Sequence, residues 1–190
     1  MRALQGVKNL ILSLLLSWLL VLPSYKIYAL DTVDSEAQLT AAFIYQITKF
    51  TQWPEDLFAA DNQAFSICIL DQQDTPLYKY LSPLESKSTQ GRSIEIVLLK
   101  NRQALFQRQG DICEVLFISN NEWQDLSGQE VKQLSQTSLL IGSSKGFLHK
   151  GGMLALIVIE NKMKIFINSS SVGDTPIKLE SRLKALAKSI

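Results

Sequence analysis

The sequence is poor in the residues that metal sites, nucleic-acid interfaces and disordered chains require. One His and two Cys among 190 residues leave too few ligands for a closed zinc site. The 19 basic side chains are nearly balanced by 18 acidic ones, whereas nucleic-acid-binding domains are strongly basic. Only 5 Pro and 9 Gly accompany a hydrophobic content of 46%. This composition excludes collagen-like and disordered chains and predicts a globular domain.

Residues 1–29 differ in character from the rest of the chain. They contain three basic residues and no acidic one, and 10–22 is a predominantly apolar stretch of 13 residues. A membrane-spanning helix needs about 20 apolar residues, so the pattern predicts a secretory signal peptide cleaved after Ala29, with a retained anchor as the alternative. The mature chain, 30–190, would then have a net charge of −2 and reach an oxidising compartment, the periplasm in a bacterium.

Residues 30–190 alternate between strand and helix patterns, with no internal repeat or linker. The expected strands are 64–70, 94–99, 112–119, 138–141, 153–159 and 164–168. The expected helices are 36–51, Pro76 to about Leu81, 101–108, 122–135 and 180–188, the first opened by a capping box at Ser35. We therefore predict one α/β domain, a sandwich whose largely parallel central sheet is flanked by helices, with a C-terminal β-hairpin at its antiparallel edge.

One motif resembles a catalytic one. Residues 142–146 fit the G-x-S-x-G pattern that places the nucleophile of an α/β-hydrolase, with Ser144 at its centre. That chemistry also needs an acid and then a His later in the chain, and the single His149 follows only five residues on with no acid between. A secreted hydrolase is therefore the weakest function hypothesis, and we expect neither an enzyme nor a cofactor. We predict that His149 itself is a solvated loop residue.

Cys68 and Cys113 each lie in an expected strand of a chain that carries an export signal. Export favours a disulfide between them, with two buried free thiols as the alternative. Closing a loop of this length stabilises a fold by roughly 4 kcal/mol on the chain-entropy model. Neither Cys belongs to a C-x-x-C motif, which argues against a redox enzyme.

Two segments are candidate contacts for a partner. Gly151 and Gly152 form a turn before a strong strand, and Phe147 precedes them in a polar loop, so we expect Phe147 to be exposed. Trp53 stands at the end of the first helix, where it either covers the core or remains partly exposed as an anchor. On this reasoning Phe147 and its glycine turn rank above Trp53 as the partner contact.

Several segments together resemble the YfiR family of secreted bacterial regulators. The resemblance rests on these stretches: Ala41–Tyr45, Lys49-Phe50, Trp53-Pro54, Phe65–Leu70, Cys113–Ser119, Gly146-Phe147, Gly151–Met153, Phe166–Asn168 and Ser181–Ala187. Their order and spacing cover nearly all of the mature chain. The positions of Cys68 and Cys113 also match the family, whereas a second cysteine pair of some members is absent.

The resemblance implies a non-enzymatic periplasmic protein. It would bind and repress the periplasmic sensor domain of an inner-membrane diguanylate cyclase, and so lower cyclic di-GMP and affect biofilm formation. An outer-membrane lipoprotein would sequester it in turn, and family members are described as dimers, which leaves a homodimer open. The alternative function is a periplasmic module that binds a small ligand at the strand ends of the sheet.

Overall fold

The computed structural model describes residues 32–58, 60, 62–72, 75–108 and 112–190. The expected signal peptide, 1–29, lies outside these residues. The helices are α1 Thr32–Lys49, α2 Pro76–Leu81, α3 Arg102–Phe106, α4 Gly128–Leu134, α5 Lys145–His149, α6 Ser169–Gly173 and α7 Ser181–Leu186. The strands are β1 Thr51–Gln52, β2 Phe65–Leu70, β3 Ser88–Thr89, β4 Arg92–Leu99, β5 Val115–Ile118, β6 Leu139–Gly142, β7 Leu154–Ile159, β8 Lys162–Ile167, β9 Lys178–Leu179 and β10 Lys188–Ser189.

Eight of these strands form one sheet in the order β10-β8-β7-β6-β5-β2-β4-β3. Strands β4, β2, β5, β6 and β7 are parallel to one another. The β7–β8 hairpin is antiparallel, as is the β3–β4 pair, and β10 joins the outer edge parallel to β8. The remaining strands, β1 and β9, pair in a separate two-stranded sheet. The predicted fold class, with its parallel centre and C-terminal hairpin, is confirmed.

The crossover connections place helices on both faces of the sheet. The step from β2 to β4 runs one way along the sheet, and the steps from β4 through β5 and β6 to β7 run the other way. Because such crossovers are right-handed, α2 lies on one face, while α3, α4 and α5 lie on the opposite face. The long helix α1 packs against α2 and therefore shares its face.

The central strands are buried along their full length. Every residue of β2, β5 and β6 is buried, and their sequences are nearly continuous runs of Val, Ile, Leu and Phe. A strand covered by helices on both faces has no solvated side, so it shows no alternation of polar and apolar residues. These three strands form the middle of the hydrophobic core.

Side-chain caps set several helix boundaries that differ from the expected ones. Helix α1 begins at Thr32, so the predicted capping box at Ser35 is wrong. The expected helix 122–135 divides into a 3-10 turn, Trp123–Asp125, and α4, because Ser127 and Glu130 form a capping box that starts a new helix. Helices α5 and α6 were not predicted, since five residues rich in Ser, Gly or Lys carry no apolar periodicity.

The two cysteines are joined in the structure. Cys68 lies in β2 and Cys113 lies two residues before the neighbouring strand β5, with a Cα–Cα distance of 5.6 Å. Both side chains are buried. The bond therefore links β2 to the segment that leads into the neighbouring strand β5.

We predict that replacing both Cys68 and Cys113 by Ala lowers the free energy of unfolding by about 2–4 kcal/mol, because the unfolded chain regains the freedom of a 45-residue loop. Urea denaturation of the exported protein measures this difference. Thiol titration of the denatured, unreduced wild type should find no free thiol. Two free thiols, or equal stability with and without reductant, would contradict the prediction.

Candidate functional site

The G-x-S-x-G segment has the strand–turn–helix geometry of a hydrolase motif, but its serine has another role. Ser144 follows β6 and caps the five-residue helix α5, where its Oγ accepts a hydrogen bond from the backbone N of Phe147 at 3.4 Å. His149 is the exposed last residue of the same helix. No hydrogen bond joins these two side chains among the contacts of the described residues. In the structure, Ser144 therefore serves as the cap that starts α5.

Phe147 is a core residue, so the prediction that it is exposed for a partner is wrong. Its side chain has no solvent-accessible surface. It packs where Gly142 and Gly152 leave room, since a Cβ on either glycine would lie less than 3.0 Å from the Phe147 ring. The two glycines therefore serve close packing of an aromatic ring. A polar sequence neighbourhood concealed this, because α5 turns only Phe147 and Leu148 inwards.

Gly151 differs from Gly152 in its backbone. Its φ of +107° is in the region that favours glycine, and it ends the turn after α5. A Cβ there would lie at ordinary contact distance from Val131. Glycine is therefore favoured at this position by its backbone conformation and not by a lack of space for a side chain. The glycine turn therefore has a structural role at both positions, and its use as a partner contact stays a prediction for the half-buried Gly151 only.

Trp53 covers the core beneath α1, which is the first of its two expected roles. It is 8% exposed, and its ring meets Phe65 edge-on with the centroids 4.8 Å apart. Its Nε1 donates to the backbone O of Glu114 at 3.0 Å. This contact places Trp53 next to Cys113, so the structure brings these two predicted residues together.

Glu114 is the most unusual titratable residue at this junction, and the sequence pattern did not single it out. The side chain is fully buried, and its Oε2 accepts from the backbone N of Ser66 at 2.6 Å. Its Oε1 has no hydrogen-bond partner within the described part of the chain. Burial raises the pKa of this carboxyl to about 7, against the lowering effect of the Ser66 hydrogen bond and of the charges of Arg92 and Arg108.

The β7–β8 hairpin presents a surface of a different kind. Strand β6 pairs with β7 only at Leu154 and Ala155. Strand β10 pairs with β8 only at Phe166 and Ile167. Residues 156–159 and 162–165 therefore extend beyond the neighbouring strands, and we call them the arm.

The register of the hairpin divides the arm into two faces. Ile157 lies opposite Lys164, and Ile159 lies opposite Lys162. We call the side that these four residues share the arm face. Ile159 is 42% exposed, and Ile157 is half-buried. The opposite side of the arm contains the buried Leu156 and Ile165 and belongs to the core.

A groove of about 970 Å³ lies near the C-terminus. Its walls come from α6, β9 and α7 and include Lys178, Arg182 and Lys184. Helix α7 buries Leu183 but leaves Leu186 75% exposed. The helix ends at Leu186, beyond the part that lies over the core.

The described residues also bear on metal and membrane binding. Nowhere in 32–58, 60, 62–72, 75–108 or 112–190 do three His, Cys, Asp or Glu side chains gather as a metal site requires. No helix within the same ranges is long and apolar enough to cross a bilayer.

A family model described as YfiR/HmsC-like matches residues 37–188. The chain belongs to the YfiR/HmsC-like family. None of the curated proteins compared with the chain matches it. Proteins of the YfiR/HmsC-like family are periplasmic regulators and not enzymes, and the family is consistent with regulation of a diguanylate cyclase. The matched range contains the disulfide, the buried Phe147 and the arm.

We predict that Phe147→Ala lowers the free energy of unfolding by about 3–5 kcal/mol, because neither neighbouring glycine has a side chain that could fill the cavity. Phe106→Ala is the matched control, since Phe106 is 39% exposed on α3 and its removal should cost little. Chemical denaturation of both variants tests this. Equal, small losses for the two would show that Phe147 is not part of the core.

We also predict a pH dependence from Glu114. Its folded pKa, about 7, exceeds the ordinary 4.5, so the folded state holds this proton more tightly than the unfolded chain. The resulting stability is complete below pH 4.5 and is lost as the pH rises to about 7.

Urea denaturation at about pH 5 and about pH 8 should show this loss in the wild type and a smaller loss in Glu114→Gln. Glu36→Gln, an exposed change on α1, is the control and should retain the wild-type dependence. The same pH dependence in Glu114→Gln and the wild type would contradict the assignment.

Proposed function

We propose that this protein is exported to the periplasm, binds the periplasmic sensor domain of an inner-membrane diguanylate cyclase and represses it, thereby lowering cyclic di-GMP. The family match over residues 37–188 carries the proposal. A repressor of this kind acts by binding the inactive state of the sensor more tightly than the active state. An outer-membrane lipoprotein that binds the repressor would relieve the repression.

The geometry supports binding of a protein over catalysis or capture of a small ligand. Ser144 is engaged as a helix cap. A small ligand in a sheet of this order would bind where β2 and β5 end. There the backbone N of Ser119 donates to Leu70 O and Gln72 Nε2 donates to Glu122 Oε2, while the buried Oγ of Ser119 has no hydrogen-bond partner among the described residues.

The signal peptide belongs to the same proposal. Export requires the basic start and the apolar stretch of residues 1–29, and cleavage would leave Leu30 as the first residue. The intramolecular disulfide fits an oxidising compartment.

We predict that deleting the gene raises cellular cyclic di-GMP and that the full chain restores the lower level. A chain without residues 2–29 should fail to restore it, because it stays in the cytoplasm. Mass spectrometry of cell extracts measures the nucleotide, and N-terminal sequencing of the periplasmic protein should begin at Leu30. An unchanged nucleotide level after deletion, or full restoration by the chain without residues 2–29, would contradict the proposal.

A further inference from the structure

We infer that the arm face is a docking surface for an acidic protein segment that carries aliphatic side chains. This inference deepens the proposed function and rests on it for the identity of the partner, but the observations behind it are those of the hairpin alone. Helix α5 supplies only Leu148 to the small cluster of Ala155, Phe166 and Ile157.

The arm face combines apolar and cationic groups in a fixed register. Ile157 and Ile159 alternate along β7 on this side, and Lys164 and Lys162 lie directly opposite them on β8. Lys145 adds a third ammonium group, with its Nζ 4.4 Å from the centre of the Phe166 ring. Three lysines around the exposed Ile159 and the half-buried Ile157 suit a partner with aliphatic anchors surrounded by carboxylates.

The backbone of the arm is also open to a partner. Beyond Ala155, β7 has a strand neighbour on one side only among the described strands, and the same holds for β8 before Phe166. An extended segment can therefore add to either edge by main-chain hydrogen bonds while its side chains contact the arm face.

Charge distinguishes this partner from a second copy of the chain. From Leu154 to Ile167 the hairpin carries three charged residues that the structure describes, which are Glu160, Lys162 and Lys164. Two copies joined face to face through the arm would bring like charges together, and directly opposed like charges are destabilising. An acidic partner would instead neutralise both lysines.

Photo-crosslinking in living cells tests the inference. A benzoylphenylalanine at position 159, which is exposed, reports what contacts the arm face, and the same group at the exposed position 186 is the control for the C-terminal groove. The expected product is an adduct from position 159 with one protein other than this chain, identified by mass spectrometry. Melting curves of the purified variants confirm that each one folds.

Charge reversal is the second part of the experiment. Lys162→Glu with Lys164→Glu should reduce the adduct about tenfold, because two attractive exposed pairs become repulsive. Lys178→Glu with Lys184→Glu, a matched change beside the groove, should leave it unchanged.

Four other outcomes would overturn the inference. An adduct of the chain with itself means a homodimer interface, and an adduct with lipid means a membrane surface. An adduct that survives charge reversal shows that the lysines only protect the open edges from aggregation. A captured acidic protein that is not a diguanylate cyclase keeps the docking surface and refutes the proposed cyclase partner, so the two failures are distinguishable. The absence of any adduct from position 159 shows that nothing occupies the arm.

Discussion

The junction at Cys113 and Glu114 holds the centre of this fold together. The backbone O of Glu114 accepts hydrogen bonds from the Trp53 ring and from the N of Leu139, the first residue of β6. Its carboxyl group accepts from the N of Ser66 in β2, and the adjacent Cys113 is bonded to Cys68 in the same strand. Two neighbouring residues thus connect β2, β5, β6 and the segment after α1. An isolated buried carboxyl is costly, and burial accordingly raises its pKa towards neutrality.

This rigid centre determines where a partner can bind. The parallel strands are covered on both faces, and the residues singled out for partner contact, Phe147 and Trp53, pack inwards. The antiparallel hairpin extends beyond this covered region and exposes Ile159, with Lys162 opposite it on the paired strand. A regulator that works by binding acts through the surfaces it presents. Within the described residues, the arm and the C-terminal groove are two surfaces that could support the proposed function.

Much of the fold could be predicted from the sequence, because buried strands such as Phe65–Leu70 are continuous apolar runs and helix starts such as Thr75-Pro76 have strong caps. The burial of Phe147 could not be predicted, because it depends on Gly142 and Gly152, which contact the Phe147 ring only in the folded chain. The burial of Glu114 could not be predicted either, because a single Glu next to a strand is usually exposed to solvent. The arm could not be predicted for another reason. The hairpin pattern predicts the two strands, but the length over which β6 and β10 pair with them depends on the register of the sheet.

The central proposal is that this chain is exported to the periplasm and represses a membrane diguanylate cyclase. It is tested most directly by the rate of cyclic di-GMP synthesis in inner-membrane vesicles that enclose GTP and contain the cyclase with its sensor domain facing outwards. Added mature protein, residues 30–190, should lower this rate in a saturable manner, and the Lys162→Glu, Lys164→Glu variant should require a higher concentration. An unchanged rate at saturating protein would contradict the account.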